Sequence, residues 1–223
     1  MESHLDHDLE KIHLKIDEAT APKAVIIIAH GAGAGMDHPF MQSIAHAISQ
    51  RGIHAVRFNF PYMEAGRKSP GSSKKNIEAW RVVIPEIQKK YPALPIFLSG
   101  KSYGGRMASH LLAETPIDGI QGIIYFGFPL HAPGKVGKER ADHLDKINVP
   151  QLFLQGTRDK LATIGLIKEV VATLKDASLY EIPDGDHSFK VPKSASLSQD
   201  ETLKLLTDQS ISFIEKMTSS MQL

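Results

Sequence analysis

The 223-residue chain contains no cysteine. That excludes disulfides, thiolate metal sites and a cysteine nucleophile together. It also lacks an excess of either charge. Lys and Arg number 26 and Asp and Glu 25, for a formal net charge of +1, so bulk electrostatics favours neither nucleic acid nor a membrane as partner. Long apolar runs are missing as well. The longest strongly apolar stretch, Ala24 to Ala29, is far short of the roughly 20 residues that span a bilayer. The opening "MESHLDHDLEK" is polar and partly acidic, unlike a signal peptide, and a cytoplasmic location is expected. Its scattered histidines read as a polar tail and not as a metal site. No repeat, low-complexity tract or linker interrupts the chain, which predicts one domain over 1–223 with 1–10 as a mobile tail.

What is present is a globular composition, 42% hydrophobic and 23% charged, with apolar residues in an ordered alternation. Ile12, Leu14 and Ile16 alternate with polar residues, the period of a half-exposed strand. "AVIIIAH" (24–30) is apolar on both faces, as a strand inside a parallel sheet must be. Asp37-His38-Pro39 opens a helix, with Asp37 as the expected cap and Phe40, Ile44, Ala47 and Ile48 as its apolar stripe. Strands follow at 54–60, 95–99, 120–128, 150–156 and 178–182, separated by helical patterns; a Gly-, Pro- and Ser-rich loop (61–73) leads to one with Ile77, Trp80, Ile84 and Ile87 that Pro85 is expected to kink. This alternation predicts an α/β fold with a mostly parallel sheet covered by helices on both faces. In such sheets ligands bind at the carboxyl ends of the strands.

"SGKSYGG" (99–105) admits two chemistries. Gly100-Lys101-Ser102 could end a phosphate-binding loop, but the required first glycine would fall on Pro95, in a strand-like run with no loop to wrap a phosphate. Gly100-Lys101-Ser102-Tyr103-Gly104 is also G-x-S-x-G, the sharp strand-to-helix turn that presents a nucleophilic serine. Strand, turn and helix (102–114) in that order favour the second reading. The plain alternative is a glycine-rich turn with an ordinary capping serine.

A serine hydroxyl needs a base, and the base needs an orienting group. Asp159 in "GTRDK" and His187 in "PDGDHSF" each lie just past a strand's carboxyl end, in the expected order after Ser102. Asp184 and Asp186 are competing orienters, though Asp186 is adjacent to the histidine. His30 ends a central strand but precedes the serine. The loop it opens, "HGAGAG" (30–35), suits an oxyanion hole, with one amide from Ala32 (Gly33 as near alternative) and the other from Tyr103. Its glycines alternate, so the dinucleotide fingerprint fails.

At this point the chain resembles the α/β-hydrolase fold, through "AHGAGAG", "GKSYGG", "LQGTRD" and "DGDH", from about Val25 to the final helix. Its short length looks like the dienelactone hydrolase-like branch. "FNFPYM" (58–63) and "GFPLH" (127–131) look like small hydrolases related to testis-expressed protein 30 and a chromatin-complex subunit. The resemblance implies Ser102, Asp159 and His187 as a triad, Tyr103 and Ala32 as oxyanion-hole amides, and no cofactor. Lys101 before the serine departs from many members, and could favour an anionic intermediate or point into solvent. The short stretch between strands 120–128 and 150–156 leaves no room for a large lid. An open site for a small ester-like substrate is expected, lined by Lys101, Met63, Phe128, Leu130 and His131. Basic residues gather at the same edge, among them Arg67, Lys68, Arg140 and Arg158, either as solvated loop charge or as attraction for an anionic substrate. A non-catalytic interaction module on the same fold is the alternative function, and the oligomeric state is not legible.

Overall fold

The structure is a computed structural model that describes residues 12–132 and 134–219. The expected N-terminal tail lies outside them. The strands are β1 (Leu14–Asp17), β2 (Ala24–Ala29), β3 (Ile53–Phe58), β4 (Ile96–Lys101), β5 (Ile120–Phe126), β6 (Gln151–Gly156) and β7 (Ala177–Ile182). They form one sheet in the order β1-β3-β2-β4-β5-β6-β7, parallel throughout except that β1 runs antiparallel to β3. The helices are α1 (Pro39–Ser49), α2 (Pro61–Glu64), α3 (Ser73–Lys90), α4 (Tyr103–Glu114), α5 (Ile164–Thr173) and α6 (Gln199–Ser219).

The pleat of β2 shows how the layers are made. Val25, Ile27 and Ala29 belong to the core beneath α3, α4 and α5, with Trp80, Met107 and Ile167. Ala24, Ile26 and Ile28 belong to the core beneath α1 and α6, with Ile44 and Ile211. All six are fully buried, which is why this strand carries no polar alternation. From β2 the chain winds outward to β3, then crosses back to β4 on the other side of β2. The switch point therefore lies between the carboxyl ends of β2 and β4, where a crevice forms.

Two local expectations are corrected. The residue capping α1 is His38, whose Nδ1 accepts the Phe40 N–H at 3.3 Å. Asp37 faces away and pairs with the ammonium of Lys15 at 2.7 Å. The stretch after β3 is not all loop, because Pro61 starts the single turn α2. The helix containing Pro85 runs from Ser73 to Lys90 as one element.

Candidate active site

Strand β4 ends at Lys101 and α4 begins at Tyr103, leaving Ser102 alone in the bend. Its φ of 50° and ψ of −111° are sparsely populated for a residue with a side chain, a conformation costing roughly 1–3 kcal/mol. The flanking glycines have no room to be anything else. A Cβ on Gly100 would lie 2.2 Å from the Gly105 nitrogen, and one on Gly104 would lie 2.4 Å from the Ala29 carbonyl oxygen. Residues 96–101 are strand, so there is no phosphate cradle. Ser102 is at the cap position of α4, yet its hydroxyl makes no capping bond. It is engaged elsewhere.

The Ser102 hydroxyl lies 2.8 Å from Nε2 of His187, and Nδ1 of His187 lies 2.7 Å from Oδ2 of Asp159. The three side chains form one hydrogen-bonded line across the ends of β4, β6 and β7. The Asp159 carboxylate has no solvent exposure, while the imidazole is 24% exposed. Such an arrangement lets a hydroxyl proton pass to the imidazole while the carboxylate holds the opposite N–H. The competing carboxylates do other work. Asp186 Oδ1 accepts the N–H groups of Ser188 and Lys190 and so shapes the loop that carries His187. Asp184 takes a positive φ of 56° in the preceding turn, where its N–H donates to Thr157 Oγ1.

Gln155 had no signal in the sequence. From the fully buried face of β6, its Nε2 donates to Asp159 Oδ2 at 2.6 Å and its Oε1 accepts the Phe128 N–H at 2.9 Å. With the Leu161 N–H on Oδ1 at 2.7 Å, Asp159 is held from both sides. A lone glutamine in an apolar strand announces nothing until its partners are known.

His30 anchors the neighbouring loop. Its Nε2 accepts the Phe60 N–H at 3.0 Å, which leaves Nδ1–H to donate to the Gly31 carbonyl at 2.9 Å. Burial pushes its pKa down to about 4, so the ring is neutral at pH 7. It ties the first turn of "HGAGAG" to the end of β3. Ala32 in that loop is exposed and lines the cavity above Ser102. Tyr103 opens α4, where an N–H has no partner within the helix. Its side chain is fixed by Asn76, which donates to the phenol oxygen at 2.8 Å.

Residues 22–215 match the alpha/beta hydrolase domain family. The chain belongs to that family. Among curated proteins it is similar to mouse monoglyceride lipase, 29% identical over 102 residues, a match spanning 43% of this chain and only about a third (32%) of the lipase. Among solved structures it is similar to Est1E of Butyrivibrio proteoclasticus with ferulic acid bound, at TM-score 0.72 and 16% identity over 93% of this chain and 96% of that one. It is also similar to dienelactone hydrolase from Anabaena variabilis, at TM-score 0.71 and 17% identity over 88% and 89% of the two chains. At these identities the solved structures establish a shared fold.

The protein has a cavity of about 310 Å³ over Ser102, lined by the Gly31–Ala34 turn, His38, Phe40, Met41, Leu161 and Ser188 together with Lys101 and His187. A somewhat larger hollow, about 410 Å³, lies at the opposite ends of the strands near Pro150 and Asp176, away from this chemistry. The expected lining is corrected. Phe128 and Leu130 are 1% and 0% exposed, and His131 4%. Gly127 takes a φ of +71° just after β5, and Phe128 packs edge-on against Tyr125 and Phe153 in the core. Met63 packs against the same core and does not line the cavity. Lys101 does line it, but its ammonium donates to the backbone carbonyl of His187 and is not free in solvent.

Several basic residues of the edge are also engaged. Lys138 pairs with Glu169, Arg140 donates to the His131 carbonyl and Arg158 to the Asp184 carbonyl. Among the described residues no cluster of three or more His, Asp or Glu side chains is placed to hold a metal ion. Nor is any described helix long and apolar enough to cross a membrane.

Proposed function

We propose that this alpha/beta hydrolase cleaves carboxylic ester or thioester bonds of small, accessible substrates by way of an acyl-enzyme. The observation that carries the proposal is the line from Ser102 Oγ to His187 Nε2 (2.8 Å) and from Nδ1 to Asp159 Oδ2 (2.7 Å), with Ser102 in a strained bend. Ser102 Oγ attacks the ester carbonyl carbon as its proton passes to Nε2. Asp159 stabilises the resulting imidazolium without taking its proton. The carbonyl oxygen becomes an oxyanion that the N–H groups of Tyr103 and Ala32 stabilise. The tetrahedral intermediate collapses, and the alcohol or thiol leaves with the proton from Nε2. Water then adds to the acyl-serine with His187 as base, the acid departs and the serine proton returns.

The cavity supports the substrate class. Residues 127–150 separate β5 from β6 and carry, among the described residues, only two short 3₁₀ turns (Glu139–Ala141 and Leu144–Lys146). The cavity of about 310 Å³ is small, with Phe40, Met41 and Leu161 as its apolar side, which suits a short acyl chain. The finer likeness to hydrolases related to testis-expressed protein 30 rests on "FNFPYM" and "GFPLH" alone.

The test is acyl-enzyme trapping. The hydrolase is mixed with p-nitrophenyl acetate, quenched in acid and analysed by peptide mass spectrometry. An acetyl group on Ser102, absent in Ser102→Ala, is expected. If wild type neither acetylates nor turns over the ester, the fold serves as an interaction module.

A further inference from the structure

Lys101 is the residue the mechanism above does not use. It is the last residue of β4, adjacent to Ser102. Its stem lies beside the Gly31 turn, where a Cβ on Gly31 would sit 3.6 Å from Lys101 Cγ. Its ammonium does not project into solvent. It donates to the carbonyl oxygen of His187 and lies 5.3 Å from the centre of the Phe189 ring.

Gly127 shows how closely these groups converge. A Cβ there would lie 3.1 Å from the Lys101 ammonium, 3.5 Å from the His187 carbonyl oxygen and 3.6 Å from Asp159 Oδ2. The ammonium therefore lies close to both the His187 carbonyl and the Asp159 carboxylate. The charged groups acting on it are Asp159, from the loop after β6, and Asp186, from the loop after β7. On the β2 side its stem lies against the uncharged Gly31 turn.

We propose that Lys101 is a positioning residue of this site: its ammonium holds the His187 carbonyl and thereby fixes the imidazole between Ser102 and Asp159. This rests on the reading of Ser102, His187 and Asp159 given above. His187 belongs to a loop with no regular ladder, bent by positive φ at Asp184 (56°) and Phe189 (59°). Asp186 shapes that loop from within. Lys101 ties it to the sheet, and to the strand that delivers the nucleophile. A displacement of about 1 Å at a reacting group can cost on the order of 100-fold in rate, so this one contact sets how well the base meets the hydroxyl.

The charge state of Lys101 gives the clamp a pH dependence. Burial lowers its pKa from 10.5 to about 8, while Asp159 and Asp186 act in the opposite direction. Below that value the clamp is a charge-assisted hydrogen bond, which is about twice as strong as a neutral one. Above it the amine is neutral and the hold weakens.

The experiment has a turnover arm and a structural arm. In the first, Lys101→Met is assayed with p-nitrophenyl acetate. A kcat about 10- to 100-fold lower is expected, with KM within about twofold and a folded protein by thermal melting. In Lys101→Ala, n-propylammonium, which replaces the missing atoms, should restore kcat, and n-propanol should not. The wild-type kcat should fall as pH rises through about 8, and that limb should vanish in Lys101→Met. In the second arm, the ¹³C shift of a labelled His187 carbonyl is followed against pH. It should titrate near pH 8 in wild type and not in Lys101→Met. Unchanged kcat and pH profile in a folded Lys101→Met, or a carbonyl shift indifferent to the substitution, overturns the proposal. The carbonyl titration needs no turnover, so it judges the clamp even if Ser102 proves not to be a nucleophile.

Discussion

Replacing Asp159 by asparagine is the most informative single perturbation of the hydrogen-bonded line. The carboxylate is fully buried and faces three donors: the His187 ring N–H, the Gln155 amide and the Leu161 N–H. Carboxylate oxygens accept all three, whereas an asparagine amide has one oxygen and one NH₂. With the oxygen toward Leu161, the NH₂ faces His187 and Gln155. Gln155 cannot turn to accommodate it, because its own oxygen is engaged by the Phe128 N–H. The imidazole must then carry its proton on Nε2, pointing at Ser102 and unable to receive another. With the amide reversed, the half-buried Leu161 N–H loses its acceptor, at up to about 1–3 kcal/mol.

Both orientations also remove the charge beside the imidazolium. At an effective dielectric near 20 and about 4 Å between charge centres, that charge is worth about 4 kcal/mol. Each 1.36 kcal/mol is roughly a factor of ten. The charge alone thus accounts for about 10³-fold, and the wrong tautomer adds up to about tenfold. The expected result is a kcat for p-nitrophenyl acetate lowered by about 10³ to 10⁴ at pH 7.5, with KM changed only a few-fold. Asp186→Asn, which alters the loop and removes one of the two carboxylates acting on Lys101 but leaves the triad groups in place, should lose far less. A folded Asp159→Asn within tenfold of wild type, or an Asp186→Asn that loses more, would refute the reasoning.

Other consequences follow from the same contacts. Gln155→Leu leaves the Phe128 N–H unmatched and frees one side of Asp159, so urea unfolding should show a loss of about 1–3 kcal/mol and kcat should fall about tenfold. His30 is buried with its pKa lowered to about 4, so the unfolded chain binds the extra proton as pH falls. Its stabilisation is complete above about pH 6.5 and is lost between there and pH 4, with about 2 kcal/mol gone by pH 5. Urea unfolding across this range checks it, and His30→Asn should flatten the dependence. The small cavity predicts a kcat/KM at least about tenfold higher for p-nitrophenyl acetate or butyrate than for the palmitate. A preference for the long chain would contradict the cavity reading.

The layered fold was legible because its determinants are local. Unbroken apolar strands such as "AVIIIA" report burial on both faces, and the amphipathic helices report which side covers them. The bend at Ser102 was legible for a similar reason, since Gly100 and Gly104 sit where any side chain would strike backbone. Asp159 and His187 could be nominated because a βα fold sends every strand's carboxyl end to one edge. Side-chain direction beyond a strand was not legible. Phe128, Leu130 and His131 follow β5 at that edge, but the turn at Gly127 drives them inward. Asp37 looked like the cap of α1, yet the ion pair with Lys15 draws it away. Gln155 is fixed by Phe128, 27 residues away in sequence, and Lys101 reaches His187, 86 residues away, and no short-range pattern reports such contacts.

The central claim is that Ser102 is an activated nucleophile, and labelling with a fluorophosphonate probe tests it most directly. Wild type should be modified rapidly and stoichiometrically at Ser102, Asp159→Asn much more slowly, and Ser102→Ala not at all. A wild-type protein that resists the probe, or a Ser102→Ala protein that still reacts with it, would contradict the account.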